Sequence, residues 1–255
     1  MGFGCGVRDH IHPVNAWAAY FSISKDLLHG SRMGHACSSP PGRFVGIGPD
    51  NKPGVNRVTM MSIHPRKDPD ATLPFRRAAR QGDAALKEHV AKRFAGAGWE
   101  IDEVTKGMME TDDFYASELV QVKVPSLHRG RFVLVGDAGY ATGPTGTGTS
   151  IALAGAYLLA GEVCKHKGDL AAGLQGYEER MRPLISEMQQ IPPGVPGMMA
   201  PQTAFWTWVR NTLFTFVCWA MALGSKFSWV GGLLGSWSSA FGSDKSGLPD
   251  YEWVS

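Results

Sequence analysis

Among the 255 residues of this chain, Gly136 and Asp137 are the pair best placed for chemistry. They follow the apolar run RFVLV at 131–135 and open the turn AGYATGPTGTGTS, after which the sequence becomes the small-residue helix pattern IALAGAYLLAGEV. An apolar strand that delivers a carboxylate just before a glycine turn and a helix sets an acceptor beside a row of free backbone N–H groups. Gly143, Gly146 and Gly148 remove Cβ atoms, so the backbone can approach a planar ligand closely. A helix starting near Thr149 would direct its partial positive charge at that ligand. The combination suits a sugar-like hydroxyl chain joined to an electron-rich ring, with Asp137 as the acceptor and Gly146, Gly148 and Thr149 among the binding residues. The plainer alternative is a strand-to-helix turn with no ligand.

Other reactive groupings are weaker. Asp9, His10 and His12 form D-H-x-H, and His35 with Cys37 adds a donor pair, but loop histidines account for them and no metal site is expected. Asp112, Asp113 and Tyr115 precede an alternating strand, where one could assist a proton transfer or all could sit in a solvated turn. Arg43, after Pro41-Gly42, is either a substrate-orienting cation or a strand-edge arginine. The sequence contains no GxSxG turn, so no nucleophilic serine is indicated. No catalytic residue is assigned.

The elements that must position these residues are legible in part. Residues 15–24 (NAWAAYFSIS), 43–47 (RFVGI) and 56–63 (NRVTMMSI) read as strands punctuated by SSPPG at 38–42 and by Gly48-Pro49-Asp50-Asn51. An open, mainly antiparallel sheet follows from that spacing. Asp83 can cap a helix in which Leu86, Val90 and Phe94 share a face, stopped by Gly96 and Gly98. Residues 117–124 (SELVQVKV) alternate as a strand, 131–135 forms another, and helices are expected over 151–163 and 171–190. The stretch 204–223 (AFWTWVRNTLFTFVCWAMAL) is long enough to span a bilayer but contains Arg210 and Asn211. A buried or surface-packed helix is the preferred reading, with contact at a membrane surface and a true span as the alternatives; Gly231, Gly232 and Gly235 suggest loops beyond it. The expected fold class is α+β, with a substrate-domain-like sheet over 1–125, a strand-turn-helix unit over 126–195 and an aromatic helical tail over 196–255.

Bulk properties narrow the partners. With 25 basic and 23 acidic side chains the net charge is +2, too little to steer nucleic acid. A small-molecule partner is expected. Cys5, Cys37, Cys164 and Cys218 form no CxxC pair, and the N-terminus lacks the apolar core of a secretory signal, so a reducing, cytoplasmic setting is expected, with peripheral membrane association through the tail as its variant.

The segment VGDAGYATGPTGTGTSIALAGAYLLAGEV resembles the GD motif and following helix of FAD-dependent monooxygenases of the aromatic-hydroxylase type. That family includes para-hydroxybenzoate hydroxylase and tetracycline-degrading monooxygenases, and the fungal members that act on polyketide or terpenoid-like metabolites look closest. AYFSISKDLLHG, SSPPGRFVGIGPDN and TDDFYASELVQVKV resemble pieces of the family's substrate domain, and SLHRGRFVLVGD its return to the flavin domain. The resemblance implies that Asp137 holds the ribityl chain of FAD. It implies that the turn from Pro144 through Thr147 to Ser150 lies against the pyrimidine side of the isoalloxazine, where the helix dipole stabilises charge on the reduced ring. Tyr140 stands where many relatives carry histidine, and Ser150 where asparagine is common, which would change contacts to the ring.

The implied activity is that of an oxidoreductase, a monooxygenase that reduces FAD with NAD(P)H and hydroxylates or epoxidises an aromatic, polyketide or terpenoid-like substrate in secondary metabolism. The family's N-terminal GxGxxG unit has no counterpart, since GFGCG at 2–6 follows no strand. Only the C-terminal portion of such an enzyme is therefore expected here, with weak FAD binding by the chain alone. A truncated sequence of an ordinary monooxygenase, a short protein catalysing a non-redox step such as cyclisation, and an inactive fragment or a chain complemented by another chain or copy all remain open at this point.

Overall fold

The computed structural model describes residues 9–65, 67–68, 70–191, 195–224 and 248–252. The expected loops around Gly231 to Gly235 and the GFGCG segment with Cys5 lie outside these residues. The described chain divides into two units, one built on residues 13–120 and 192–210, the other on 121–191 with the remaining terminal segments. Residues 196–255, expected as one tail, are thus shared between the two.

The first unit is built on a five-stranded sheet. Its strands are β1 (Ile11–Ile23), β2 (His35–Ser39), β3 (Arg43–Pro49), β4 (Asn56–Ile63) and β5 (Tyr115–Val122), in the order β2-β3-β4-β1-β5. β1 runs antiparallel to β4, pairing Ala16 with Ile63 and Ile23 with Asn56, and β3 is antiparallel to both β2 and β4. The mixture of an antiparallel sheet with helices is the α+β class read from the sequence. The β2–β3 connection is the SSPPG turn, which has a cis Pro40–Pro41 peptide. Gly42 there has φ +64°, and a Cβ would lie 2.0 Å from the Ile63 carbonyl oxygen, so both conformation and space demand glycine.

Alternation on β1 sends side chains to two cores. Trp17, Ala19, Phe21 and Ile23 join Val45, Ile47, Val58 and Met60 beneath the helices α1 (Leu73–Gln81), α2 (Asp83–Phe94) and α3 (Ile101–Glu110). Ala16 and Ala18 face the other way, against Met61, Ile63 and Ala200. Both faces are therefore buried, which is why 16–19 (AWAA) reads as one continuous apolar run. Trp17 stacks on Phe75 of α1 with ring centroids 4.9 Å apart.

Helices α1 and α3 have no counterpart in the sequence expectations. In α3, Ile101, Val104 and Met108 make a buried stripe, but Gly107 interrupts its propensity. Gly107 is there for space, because a Cβ would meet Ile23 Cγ2 at 2.5 Å.

In the second unit the two-residue strands β6 (His128–Arg129) and β7 (Phe132–Val133) pair only with each other. The five-residue strand expected over 131–135 is thereby corrected to a short hairpin arm. Among the described residues no further strand lies beside it, and an unpartnered strand has no ladder to hold it extended. Beyond β7 come α4 (Asp137–Tyr140), α5 (Gly148–Lys165) and α6 (Leu170–Met188). Asp169 caps α6 by accepting the Ala172 N–H at 3.1 Å. Leu127, Tyr140, Ile151, Leu158, Tyr177, Met181 and Ile185 form the core of this unit.

The segment at 248–252 packs on α5. Tyr251 donates to the buried Glu162 carboxylate at 2.7 Å, and Arg180 pairs with the same group. Two further helices follow α6 in the chain, α7 (Val195–Met199) and α8 (Ala204–Gly224). The aromatic side chains of α8 stand exposed, Trp208 at 64%, which corrects the expectation of a packed helix. No helix among the described residues is long and apolar enough to cross a membrane.

Candidate functional site

Gly136 enters the site with φ +68° and ψ −147°, a combination open essentially to glycine alone. That bend places Asp137 at the first position of α4, a single turn closed by Gly139 and Tyr140 N–H groups on the Gly136 carbonyl, each at 3.0 Å. Gly139 packs so closely on Leu134 that an added Cβ would lie 2.9 Å from the leucine Cβ. The chain then turns through Gly143 (φ +74°) and Gly146 (φ +76°) into α5.

The N-terminus of α5 is left open. Thr147 occupies the N-cap position but makes no capping bond; its hydroxyl is engaged by Thr145 Oγ1 at 2.7 Å. The first N–H groups of α5 consequently keep their capacity to bind an acceptor. A Cβ built on Gly148 would sit 3.8 Å from Asp137 Oδ1, so the carboxylate lies beside this helix end.

Asp137, Gly143, Gly146, Gly148, Thr149 and Ala152 line a cleft of about 510 Å³. Four of the eight residues named from the sequence thus meet here. Gly136, Pro144, Thr147 and Ser150 do not line the cleft; Gly136 and Thr147 shape its backbone, and Ser150 is exposed on the first turn of α5.

Two glutamines that the sequence did not single out hold the turn. Gln121 donates to the carbonyls of Thr142 (3.1 Å) and Gln189 (2.7 Å). Gln189 in turn donates to Val122 (2.7 Å) and Ala141 (3.1 Å). Backbone at 141–142 is thus tied to β5 and the end of α6, partners some 20 and 48 residues away that no local pattern connects.

Tyr140 corrects an expectation. It is buried beneath α5, with its hydroxyl 3.3 Å from that of Tyr177, which donates to the Leu134 carbonyl at 2.9 Å. Burial, together with Tyr140, pushes the Tyr177 phenol far above its ordinary range. Tyr140 is a structural prop of the site and lies in the core, away from the cleft lining.

Asp113 and Arg43 take structural roles. Asp113 accepts from the Ser22 N–H (2.8 Å) and the Thr111 hydroxyl (2.7 Å), which hold its carboxyl down at about 2. It is therefore an ionised anchor, unsuited to proton transfer near neutrality. Arg43 donates to the Ala95 and Pro40 carbonyls and to Ser39 Oγ, tying the SSPPG turn to the end of α2. Among the described residues no group of three His, Cys, Asp or Glu side chains converges to hold a metal, His10, His12, His35 and Cys37 included.

No family model matches the chain. Individual relatives do. The monooxygenase CTB7 of Cercospora beticola is 33% identical over 216 residues, covering 83% of this chain and 51% of that protein. The FAD-dependent monooxygenase asL4 of Sarocladium schorii is 34% identical over 209 residues, covering 74% of this chain and 47% of its own. The chain is homologous to part of the flavin-dependent monooxygenases. It spans about half the length of these curated relatives. In three dimensions it superposes on the tetracycline destructase Tet(55) with a TM-score of 0.65 and 25% identity, over 95% of this chain and 56% of that one. The kinship and the α+β fold implied by the GD segment are thereby met, in company with fungal monooxygenases.

The cleft also fits the flavin on its own chemistry. Asp137 offers a carboxylate acceptor for a hydroxyl, the open end of α5 offers donors for an electron-rich carbonyl edge, and a Cβ at Gly146 would find nothing within 4 Å. The surface between them carries no bulky side chain.

Proposed function

We propose that this chain supplies the ribityl and pyrimidine contacts, together with the substrate-domain sheet, of an FAD- and NAD(P)H-dependent monooxygenase. Its substrate class is an aromatic, polyketide or terpenoid-like metabolite that is hydroxylated or epoxidised. The observation that carries the proposal is the Asp137 carboxylate set beside the uncapped N-terminus of α5 in a cleft cleared by glycines. Fungal relatives named as a monooxygenase and as an FAD-dependent monooxygenase support the same reading.

Each residue then has a defined task. Asp137 would accept a hydrogen bond from a ribityl hydroxyl and so fix where the ring system starts. The N–H groups at 148–150 and the dipole of α5 favour negative charge on the ring edge that abuts them. Gly143 and Gly146 let the backbone lie flat against that edge. Gln121 and Gln189 keep the turn from moving when charge develops. When bound, the reduced flavin supplies the electrons that activate O₂ for oxygen transfer to the substrate.

Titrating FAD into the purified chain and following flavin fluorescence tests the assignment. The expected result is weak, saturable binding that Asp137→Ala lowers about tenfold, the worth of one charge-assisted hydrogen bond, with circular dichroism unchanged. Absence of any saturable binding, or binding indifferent to Asp137→Ala, overturns it.

A further inference from the structure

Helix α8 exposes eight large apolar side chains along its length, with Phe205 at 63%, Trp206 at 60% and Trp219 at 57%. On a helix that advances about 100° per residue, they do not scatter. Phe205, Val209, Leu213 and Phe216 lie along one face, into which Thr212 intrudes. Trp206 and Val217 follow one margin of that face, and Trp208 and Trp219 the other. Thr207, Arg210, Asn211, Thr215 and Cys218 occupy the opposite side with Phe214. The apolar arc spans about half the circumference, wider than the two-position seam of a coiled coil.

Tryptophan flanking an apolar face is the arrangement favoured at a lipid–water boundary, where an amphipathic ring satisfies both sides. The helix concentrates this residue: Trp206, Trp208 and Trp219 are three of the chain's eight tryptophans. Charge points the same way. Between Glu187 and Asp244 there is no acidic residue, while Arg210 and Lys226 are basic, so nothing in the stretch repels anionic headgroups. Arg210 also donates to the Met198 and Met199 carbonyls, which fastens the start of α8 to α7. The helix is not apolar enough to cross a bilayer.

We infer that α8 is a membrane-surface anchor that lies in the plane of an anionic bilayer, its Phe205–Leu213–Phe216 face in the acyl boundary and its tryptophans at headgroup level. This inference is independent of flavin binding. It would hold the protein where apolar metabolites partition.

The test is flotation of the full chain with phosphatidylcholine vesicles, with and without phosphatidylglycerol, together with quenching of tryptophan emission by lipids brominated on the acyl chain. The wild type is expected to float with the vesicles, more strongly with phosphatidylglycerol, and to be quenched. F205S/L213S/F216S should partition about tenfold less or weaker still, while Met33→Ser, which alters an apolar side chain exposed elsewhere, leaves partitioning unchanged. Absence of flotation and quenching in the wild type overturns the inference, as does flotation that the triple substitution leaves intact. So does concentration-dependent self-association without vesicle binding that the triple substitution removes, since the face would then be an interface between copies. Quenching of the wild type decides the matter if the triple variant does not fold.

Discussion

Replacing Gly155 by alanine should weaken the support beneath the cleft lined by Asp137. A Cβ at this position in α5 would lie 2.0 Å from Tyr140 Oη, 3.1 Å from its Cζ and 3.4 Å from Met181 Cε. The phenol oxygen has to retreat by about 1.4 Å to regain ordinary contact, and it has little room, since Tyr140 is 1% exposed and Tyr177 0%. Overpacking of this kind costs about 1–3 kcal/mol, and loss of the Tyr140–Tyr177 contact adds about 1 kcal/mol. The better helix propensity of alanine returns up to about 1 kcal/mol. A net destabilisation of about 1–3 kcal/mol is expected, read as a lower urea midpoint with unchanged slope. Tyr140→Phe removes the oxygen that collides, so Gly155→Ala should cost less in that background, with a coupling of about 1–2 kcal/mol across the double-mutant cycle. Because Tyr140 ends the turn that begins at Asp137, FAD affinity should fall in Gly155→Ala and recover in part in the double variant. A stabilised Gly155→Ala protein, or additive energies across the cycle, would refute the reasoning.

Two other perturbations are read from the sheet unit. Arg76 holds Glu118 through both carboxylate oxygens at 2.5–3.0 Å, where the two side chains are 21% and 12% exposed, and Thr72 adds a bond at 2.7 Å. Arg76→Met should therefore cost about 2 kcal/mol by leaving the carboxylate without its cation, and Arg76→Met/Glu118→Leu should regain most of it in urea unfolding. Burial, seconded by Arg93, holds the His64 imidazole below its ordinary range, and burial with Arg93 and Lys92 does the same for His89. The folded state thus favours the neutral rings, so their stability contribution is complete above about pH 6.5 and is lost as pH falls below it toward the folded values. The urea midpoint should drop between pH 7.5 and 5.5, and His89→Phe, which keeps a ring beside Trp17 and Phe75, should flatten that drop.

Much of the architecture was legible because its signals are local. β4 occupies the residues read as a strand at 56–63, α2 carries the Leu86, Val90 and Phe94 face, and α8 covers the aromatic stretch. What failed did so where a distant partner decides. The run 131–135 has strand composition, but a strand exists only by pairing, and its arm pairs over two residues. α3 was obscured by Gly107, whose reason is Ile23, more than 80 positions earlier. α8 has the composition of a packed helix, and only its surroundings show its rings exposed.

The same division runs through the site. By itself the sequence determined the order of acidic residue, glycine turn and helix, because backbone conformations such as Gly136 at φ +68° are open to few residue types and so leave a readable mark. It could not say that Gln121 and Gln189 would tie the turn down, that Tyr140 would go inward to Tyr177, or that Asp113 would be spent as an anchor. Those outcomes depend on contacts between residues far apart in the chain, whose geometry is set only when the tertiary structure closes around them.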